Sequence, residues 1–395
     1  MSMTRSHSPG RVAAHAGANS GVLRGRPLSI VLWHLFSLGC VSLFALYAIG
    51  KPSVLACSSK LKPYAVAFQT KSLLEQACLS SDRLIIFFGD SSVAQPPWAE
   101  SNSPGIPATL AAELRASYPE IGEVSVVEWA FNGARMFHYY CLLFEAAKYS
   151  PDAVIIPINW RSLGPKSEEW RRIYHFPELS ALVPLREMAF EPGKGVFELE
   201  DITPLGRFAY VFHRPMLYLR GMRMWLRIRL GMESEGDPAS VRPETLPPVS
   251  VLMSFFSDEE LFRTYANDIA RGNTQLRILR ALTEAAGRQG MNVLFYITPI
   301  HVDELRRRPR FNARMCRESV GRVVEAATSE TSMCLNLLEL LREEDFIDFY
   351  EHYRPEGNRK IARALAPAVR RLIATADEGP GNHRREAQQR LDKQP

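Results

Sequence analysis

Five short apolar runs, spaced along the chain with helix-like stretches between them, constrain the fold more than any other feature. They are Arg83–Phe88 (RLIIFF), Val124–Trp129 (VSVVEW), Ala153–Ile158 (AVIIPI), Asn292–Thr298 (NVLFYIT) and a weaker Met333–Leu338. Short β-branched and aromatic runs that are nearly all apolar suit strands covered on both faces, as in a parallel sheet. The intervening sequence predicts helices over Ile106–Ser117, Ala134–Tyr149, Glu259–Arg288 and Arg310–Thr328, with Glu356–Thr375 closing the domain. Ser257-Asp258-Glu259-Glu260 reads as a capping box at the start of the third helix, and Gly290 as its stop. Strand and helix alternate throughout. The expectation is a three-layer α/β/α sandwich around a five-stranded parallel sheet.

The N-terminal part has a different character. From Leu28 to Ile49 the chain reads LSIVLWHLFSLGCVSLFALYAI, without a charged side chain. As a helix it spans roughly 33 Å, enough to cross a bilayer. The competing reading is a signal peptide cleaved after Val54-Leu55-Ala56, whose apolar region is usually shorter than this run. Arg5, Arg11, Arg24 and Arg26 precede the span, and Lys51, Lys60 and Lys62 follow it, a small bias toward a cytoplasmic N-terminus. The resulting layout is a tail over 1–27, a transmembrane helix over 28–49, a stalk over 50–80, the domain over 81–375 and a disordered tail over 376–395. Residues 161–256, rich in Pro, aromatic residues and Arg, interrupt the rhythm as an insertion. Its segment Phe212–Leu230 carries five arginines among apolar residues, as either a packed amphipathic helix or an interfacial one. An exported domain places its cysteines in an oxidising space, where Cys57 pairing with Cys78 is one option.

The net charge of +5 is spread along the chain and makes no case for nucleic-acid binding. No CxxC or HExxH spacing points to a metal, and no cofactor is expected.

Ligands of open parallel sheets gather beyond the carboxyl ends of the strands. The residues at those ends form a chemically coherent set. Gly89-Asp90-Ser91-Ser92 follows the first strand, Asn132-Gly133 the second, Asn159 ends the third, and Asp348 and His352 follow the fifth. In acyl transfer, Ser91 is the nucleophile, His352 the base that takes its proton, and Asp348 the carboxylate that fixes the imidazole tautomer. The backbone N–H groups of Ser91 and Gly133 and the amide of Asn159 are the candidate oxyanion donors. Taken singly, each residue has an ordinary reading: Gly-Asp-Ser is a common turn, and Asn159 and Gly133 suit a strand end and a turn. His301, after the fourth strand, also reaches the rim, in a structural or substrate-side role. His138 is expected to pack.

These segments resemble, in order, the four sequence blocks of the SGNH/GDSL hydrolase family. IIFFGDSS is similar to the nucleophile block, VVEWAFNGA to the block with the oxyanion glycine, PDAVIIPINW to the block with the oxyanion asparagine, and DFYEHYRPEGNRKIA to the histidine block, including Gly357. The resemblance spans most of residues 83–370 and implies a flavodoxin-like sheet and a serine esterase or O-acyltransferase. Membrane-tethered members imply acyl groups of cell-surface glycan as substrate, an extracytoplasmic domain and a membrane acyltransferase as partner. A lipid or small-ester esterase is the enzymatic alternative. Two departures stand out. The family places its aspartate three residues before the histidine, where this chain has Phe349, and Asp348 lies four before. The third block has Pro157-Ile158-Asn159-Trp160 in place of Gly-x-Asn-Asp. A non-catalytic glycan-binding or assembly module is the alternative that the off-register aspartate and the large insertion raise.

Overall fold

The computed structural model describes residues 33–34, 36–40, 70, 73–93, 104–130, 134–164, 248–265, 268–349 and 351–378. By contacts the chain divides into a unit over Met1–Ala48 and another over Ile49–Pro395. In the first, the described residues are helical and Trp33, Phe36 and Leu38 are exposed. Among the described residues no helix is long and apolar enough to cross a membrane, and most of the expected span over 28–49 lies outside them.

The second unit holds a five-stranded sheet of β1 (Arg83–Gly89), β2 (Val124–Ala130), β3 (Ala153–Ile158), β4 (Val293–Ile297) and β5 (Ser332–Asn336). Its order is β2-β1-β3-β4-β5 and every pairing is parallel. The composition of each strand matches its place. Leu84–Gly89 of β1 and every residue of β3 and β4 are buried, as central strands between two helical layers must be. The edge strand β2 exposes Glu128, and β5 is buried only at Ser332. Asp152 pins β1 against β3: its carboxylate accepts the Leu84 N–H at 2.7 Å and pairs with Arg83 at 3.1 Å.

The main helices are α1 (Ile106–Ser117), α2 (Met136–Ala146), α3 (Asp258–Thr264), α4 (Thr274–Arg288), α5 (Ala313–Ala327) and α6 (Pro355–Glu378). α1 packs on α6, while α4 packs on both α2 and α5. This is the predicted three-layer sandwich. Within the expected stalk, residues 73–80 are helical, with Leu74 and Ala77 buried in the core cluster. Of the insertion, residues 165–247 lie outside the described residues, including the arginine-rich Phe212–Leu230. So does the tail after Glu378. No disulfide joins Cys40, Cys78, Cys141, Cys316 and Cys334, and Cys57 is not among the described residues.

Two elements differ from expectation. The single helix predicted over Glu259–Arg288 is two helices, because Asn273 caps a fresh start: its Oδ1 accepts the N–H groups of Gln275 and Leu276. The Ser257–Glu260 capping box opens α3 as expected, and Gly290, at φ 63°, follows α4. β5 runs over Ser332–Asn336 rather than Met333–Leu338. Asn336 turns the chain out of the sheet by accepting the Leu338 N–H, although Leu337 and Leu338 stay buried.

In this strand order the chain goes from β1 outward to β2 and then returns past β1 to β3. The carboxyl ends of β1 and β3 therefore flank the topological switch point, where an open α/β sheet leaves its crevice. Gly89 ends β1 there, and a Cβ on it would lie 2.4 Å from the Cβ of Val93. Replacing Gly89 by Ala is expected to destabilise the domain by about 1–3 kcal/mol through overpacking, read as a lower urea midpoint with unchanged slope. An unaltered midpoint would show that the Gly89 turn opens freely.

Candidate functional site

The site is built from three strand ends and one loop. After β1 the chain turns tightly, with Val93 N–H bonded to Asp90 C=O at 3.1 Å. The Asp90 carboxylate is buried and accepts three hydrogen bonds. Oδ1 accepts the N–H of Ser92 at 2.8 Å and its hydroxyl at 2.7 Å, and Oδ2 accepts the Asn159 side-chain amide at 3.0 Å. Ser91 sits half-buried in this turn, and its hydroxyl makes no hydrogen bond among the described residues. Asp90 thus spends its charge on holding the turn and leaves the neighbouring hydroxyl uncommitted.

Asn159 is 3% exposed at the end of β3 and works in two directions. Its Nδ2 donates to Asp90 across the switch point, while its Oδ1 accepts the Arg161 N–H at 3.0 Å and caps the short 3-10 turn over Trp160–Leu163. An amide nitrogen carries two N–H bonds, so the one given to Asp90 fixes the direction of the other. Asn132 and Gly133, the second-strand part of the expected oxyanion site, lie outside the described residues.

The histidine loop is closed at its base. Phe346 and Tyr353 form an antiparallel bridge, Ile347 N–H bonds His352 C=O at 2.8 Å, and Arg354 N–H bonds Asp345 C=O at 2.8 Å. Lys360 reaches back from α6 to the buried Asp345 carboxylate, with both oxygens at 2.8 Å. Gly357 lets α6 approach this loop, since a Cβ there would lie 2.7 Å from the Asp345 carbonyl. On the other side Tyr265 donates to the Phe349 carbonyl, and Phe256 packs on the Phe349 ring at 4.5 Å. Within this frame Asp348 Oδ2 lies 2.7 Å from His352 Nδ1. The carboxylate four residues back reaches the imidazole through its Nδ1 side. His352 itself is 9% exposed.

Sequence reasoning missed two charged residues at the rim. Glu351 is 1% exposed, pairs with Arg161 Nε at 3.3 Å and accepts the Thr298 hydroxyl at 2.7 Å. Burial pushes its carboxyl up to about 7, against the opposing pull of Arg161 and Thr298, and the charge of Asp90 adds to the rise. Burial opposes the Arg161 charge, but Glu351, with Tyr265, Asp90 and Asp348, outweighs it and raises that guanidinium above its ordinary value. Arg135, at the start of α2, is half-buried and shifted downward, first by burial, with Asp90 opposing and Arg161 reinforcing. The signal for Arg161 was its place two residues after Asn159. Nothing in the sequence marked Glu351 beyond its adjacency to His352.

His301 and His138, the two further histidines singled out in the sequence, each accept a backbone N–H. His301 Nδ1 accepts the Glu304 N–H at 3.2 Å as the cap of the short helix Val302–Arg306, and its ring lies 5.7 Å from that of Phe346. His138 is buried, its Nδ1 accepts the Arg135 N–H at 2.8 Å, and burial followed by the Arg135 charge lowers it to about 3. Among the described residues no cluster of three or more His, Cys, Asp or Glu side chains is arranged to hold a metal ion.

No family model matches the chain, and no curated protein matches it. Solved structures do. A catalytic mutant of an acetylxylan esterase from Geobacillus stearothermophilus is 14% identical with a TM-score of 0.36, over 73% of this chain and 94% of that one. A putative GDSL-like lipase from Parabacteroides merdae is 10% identical with a TM-score of 0.36, over 73% and 95%. A putative arylesterase from Agrobacterium tumefaciens is 14% identical with a TM-score of 0.29, over 73% and 99%. These three structures are an acetylxylan esterase, a putative GDSL-like lipase and a putative arylesterase, and at TM-scores of 0.29 to 0.36 the likeness brings no activity or residue role to this chain.

Proposed function

We propose that this chain is a serine-dependent acyl-ester hydrolase or acyltransferase of SGNH type, with Ser91 as nucleophile, His352 as base and Asp348 as the carboxylate that orients it. The observation that carries the reading is the 2.7 Å contact between Asp348 and His352 Nδ1, made across a spacing one residue longer than the family's. That contact bears on one of the two motives for a non-catalytic module, the off-register aspartate.

The chemistry follows from the atoms. Asp348 accepts a hydrogen bond from Nδ1–H, which keeps the proton on that nitrogen and leaves the lone pair on Nε2. Nε2 takes the Ser91 proton as Oγ attacks the acyl carbon, and the tetrahedral oxyanion draws on the Ser91 N–H, the Gly133 N–H and the second N–H of Asn159. The imidazolium returns its proton to the departing alkoxide, leaving acyl-Ser91. Water then gives the free acid, or a sugar hydroxyl gives a new ester, with His352 again taking the attacking proton.

Acyl groups of cell-surface glycan are the proposed substrate, with the domain outside the cytoplasm and Leu28–Ile49 as its anchor in the bilayer. Support comes from the apolar, uncharged run at 28–49 and from the sequence resemblance to membrane-tethered relatives. A membrane acyltransferase that supplies the acyl group is the proposed partner.

A fluorophosphonate probe is expected to label the wild-type chain and not Ser91→Ala. On p-nitrophenyl acetate, His352→Ala is expected to cost about 10²–10⁴-fold in kcat and Asn159→Ala about 10²–10³-fold. Labelling that survives Ser91→Ala would remove Ser91 from the chemistry. Mass spectrometry of surface glycan from cells carrying wild type or Ser91→Ala is expected to differ in acyl content. Identical acyl content alongside Ser91-dependent labelling would overturn the glycan assignment and keep the esterase.

A further inference from the structure

Glu351 combines two features that a fold ordinarily avoids. It is a carboxylate at 1% exposure, and it is a Cβ-bearing residue at φ 69°, in the left-handed region. Ser150 is the only other non-glycine described residue with positive φ. Such strain persists only where its surroundings over-determine it, and it concentrates at sites of function.

The surroundings of Glu351 are specific. Oε1 takes Arg161 Nε at 3.3 Å and Oε2 takes the Thr298 hydroxyl at 2.7 Å, so the ends of β3 and β4 both hold it. From there a continuous chain of hydrogen bonds crosses the site. Arg161 N–H donates to Asn159 Oδ1 at 3.0 Å, and Asn159 Nδ2 donates to Asp90 Oδ2 at 3.0 Å. One end of this chain is the residue before Ser91, and the other is the residue before His352. The remaining titratable and charged groups that act on Glu351 are Asp90, Arg135, Tyr139, Tyr296 and Tyr353. A buried ion pair is weak support for stability, since apolar side chains of similar volume often serve a fold as well.

We infer that Glu351 is a positioning residue. Clamped by Arg161 and Thr298, it locks the left-handed turn through which Asp348 reaches His352 from four residues back, and it ties that turn to Asn159 and the Ser91 loop. The extra residue between carboxylate and imidazole has to be folded away inside a loop already closed by the Ile347–His352 hydrogen bond. A left-handed residue directly before His352 does this. Its carboxylate keeps the turn from relaxing and sets the imidazole relative to Asn159. The inference rests on Ser91 and His352 as the reacting pair.

The test uses the purified full chain with Glu351→Gln, Glu351→Asp and Thr298→Val. Glu351→Gln keeps shape and volume but loses the charge that faces Arg161. Thr298→Val removes one clamp and leaves Glu351 in place, so it keeps the test open if a Glu351 variant fails to fold. Two readouts are needed. The first is the low-field proton resonance of the His352 Nδ1–H shared with Asp348, assigned by its loss in Asp348→Asn. The second is kcat and KM on p-nitrophenyl acetate with the rate of fluorophosphonate labelling. Glu351→Gln is expected to shift or broaden the resonance and lower kcat by roughly 10–10²-fold, with KM nearly unchanged. Thr298→Val is expected to do the same more weakly, and Glu351→Asp to recover part of the loss. An unmoved resonance together with wild-type kcat in both Glu351→Gln and Thr298→Val overturns the inference. Activity that persists in Ser91→Ala sinks the nucleophile assignment instead, and the resonance then still decides whether Glu351 holds His352 on Asp348.

Discussion

The hydrogen bond from Asn159 to Asp90 is the interaction on which the rest of the site depends. β1 and β3 are neighbours, but the chain between them leaves to form β2 and α2 before it returns. A sheet of this topology opens a crevice where its two halves diverge, and the two strand ends that flank it have no backbone ladder beyond their last paired residues. A buried carboxylate and a buried amide close that gap at 3.0 Å. Because Asp90 also binds Ser92 through the N–H and the hydroxyl, one side chain fixes the turn after β1 and its place relative to β3 together. Substituting Asp90 would take the acceptor from three donors, the Ser92 N–H, the Ser92 hydroxyl and the Asn159 amide, and each buried group left unsatisfied costs about 1–3 kcal/mol.

Much of this was legible in the sequence, for reasons that can be traced. The strands of the sheet centre are the runs without alternation, because burial on both faces leaves no position for a polar side chain. Ala153–Ile158 and Ile106–Ser117 coincide with their predicted bounds. Where apolar content was weaker, prediction slipped. β5 sits at the edge and is buried only at its first residue, so composition placed it one residue late at its start and two at its end. The break between α3 and α4 depends on the Asn273 side chain capping two N–H groups, and Asn inside a helical pattern is a weak signal until its conformation is known.

The histidine loop marks the limit of such reading. Counting residues put Asp348 one position too far from His352, and counting is valid only when the intervening backbone follows the family's course. The φ of Glu351 changes that course, and nothing about a glutamate announces a left-handed conformation. What fixes it is tertiary: Thr298 from the end of β4 and Arg161 from just beyond β3. Those residues are separated from Glu351 by more than 50 and nearly 200 positions, respectively. A short motif comparison sees none of them.

That arrangement carries a thermodynamic cost with a definite sign. The Glu351 carboxyl is raised from its ordinary value of 4.5 to about 7 in the folded chain, first by burial. Between those two values the folded state holds a proton that the unfolded chain has lost. Stability contributed by the neutral carboxyl is therefore complete below about 4.5 and declines as pH rises toward 7. The pairing with Arg161 runs the other way, since it reaches full strength only once Glu351 is ionised. The Arg161 clamp on the turn is thus tightest on the alkaline side of that window, where the fold has given up part of the stability of the neutral carboxyl. A hydrophobic side chain at 351 would spare the fold this slope. It would also take from the half-buried Arg161 guanidinium its Glu351 carboxylate, and it would release the turn that brings Asp348 to His352.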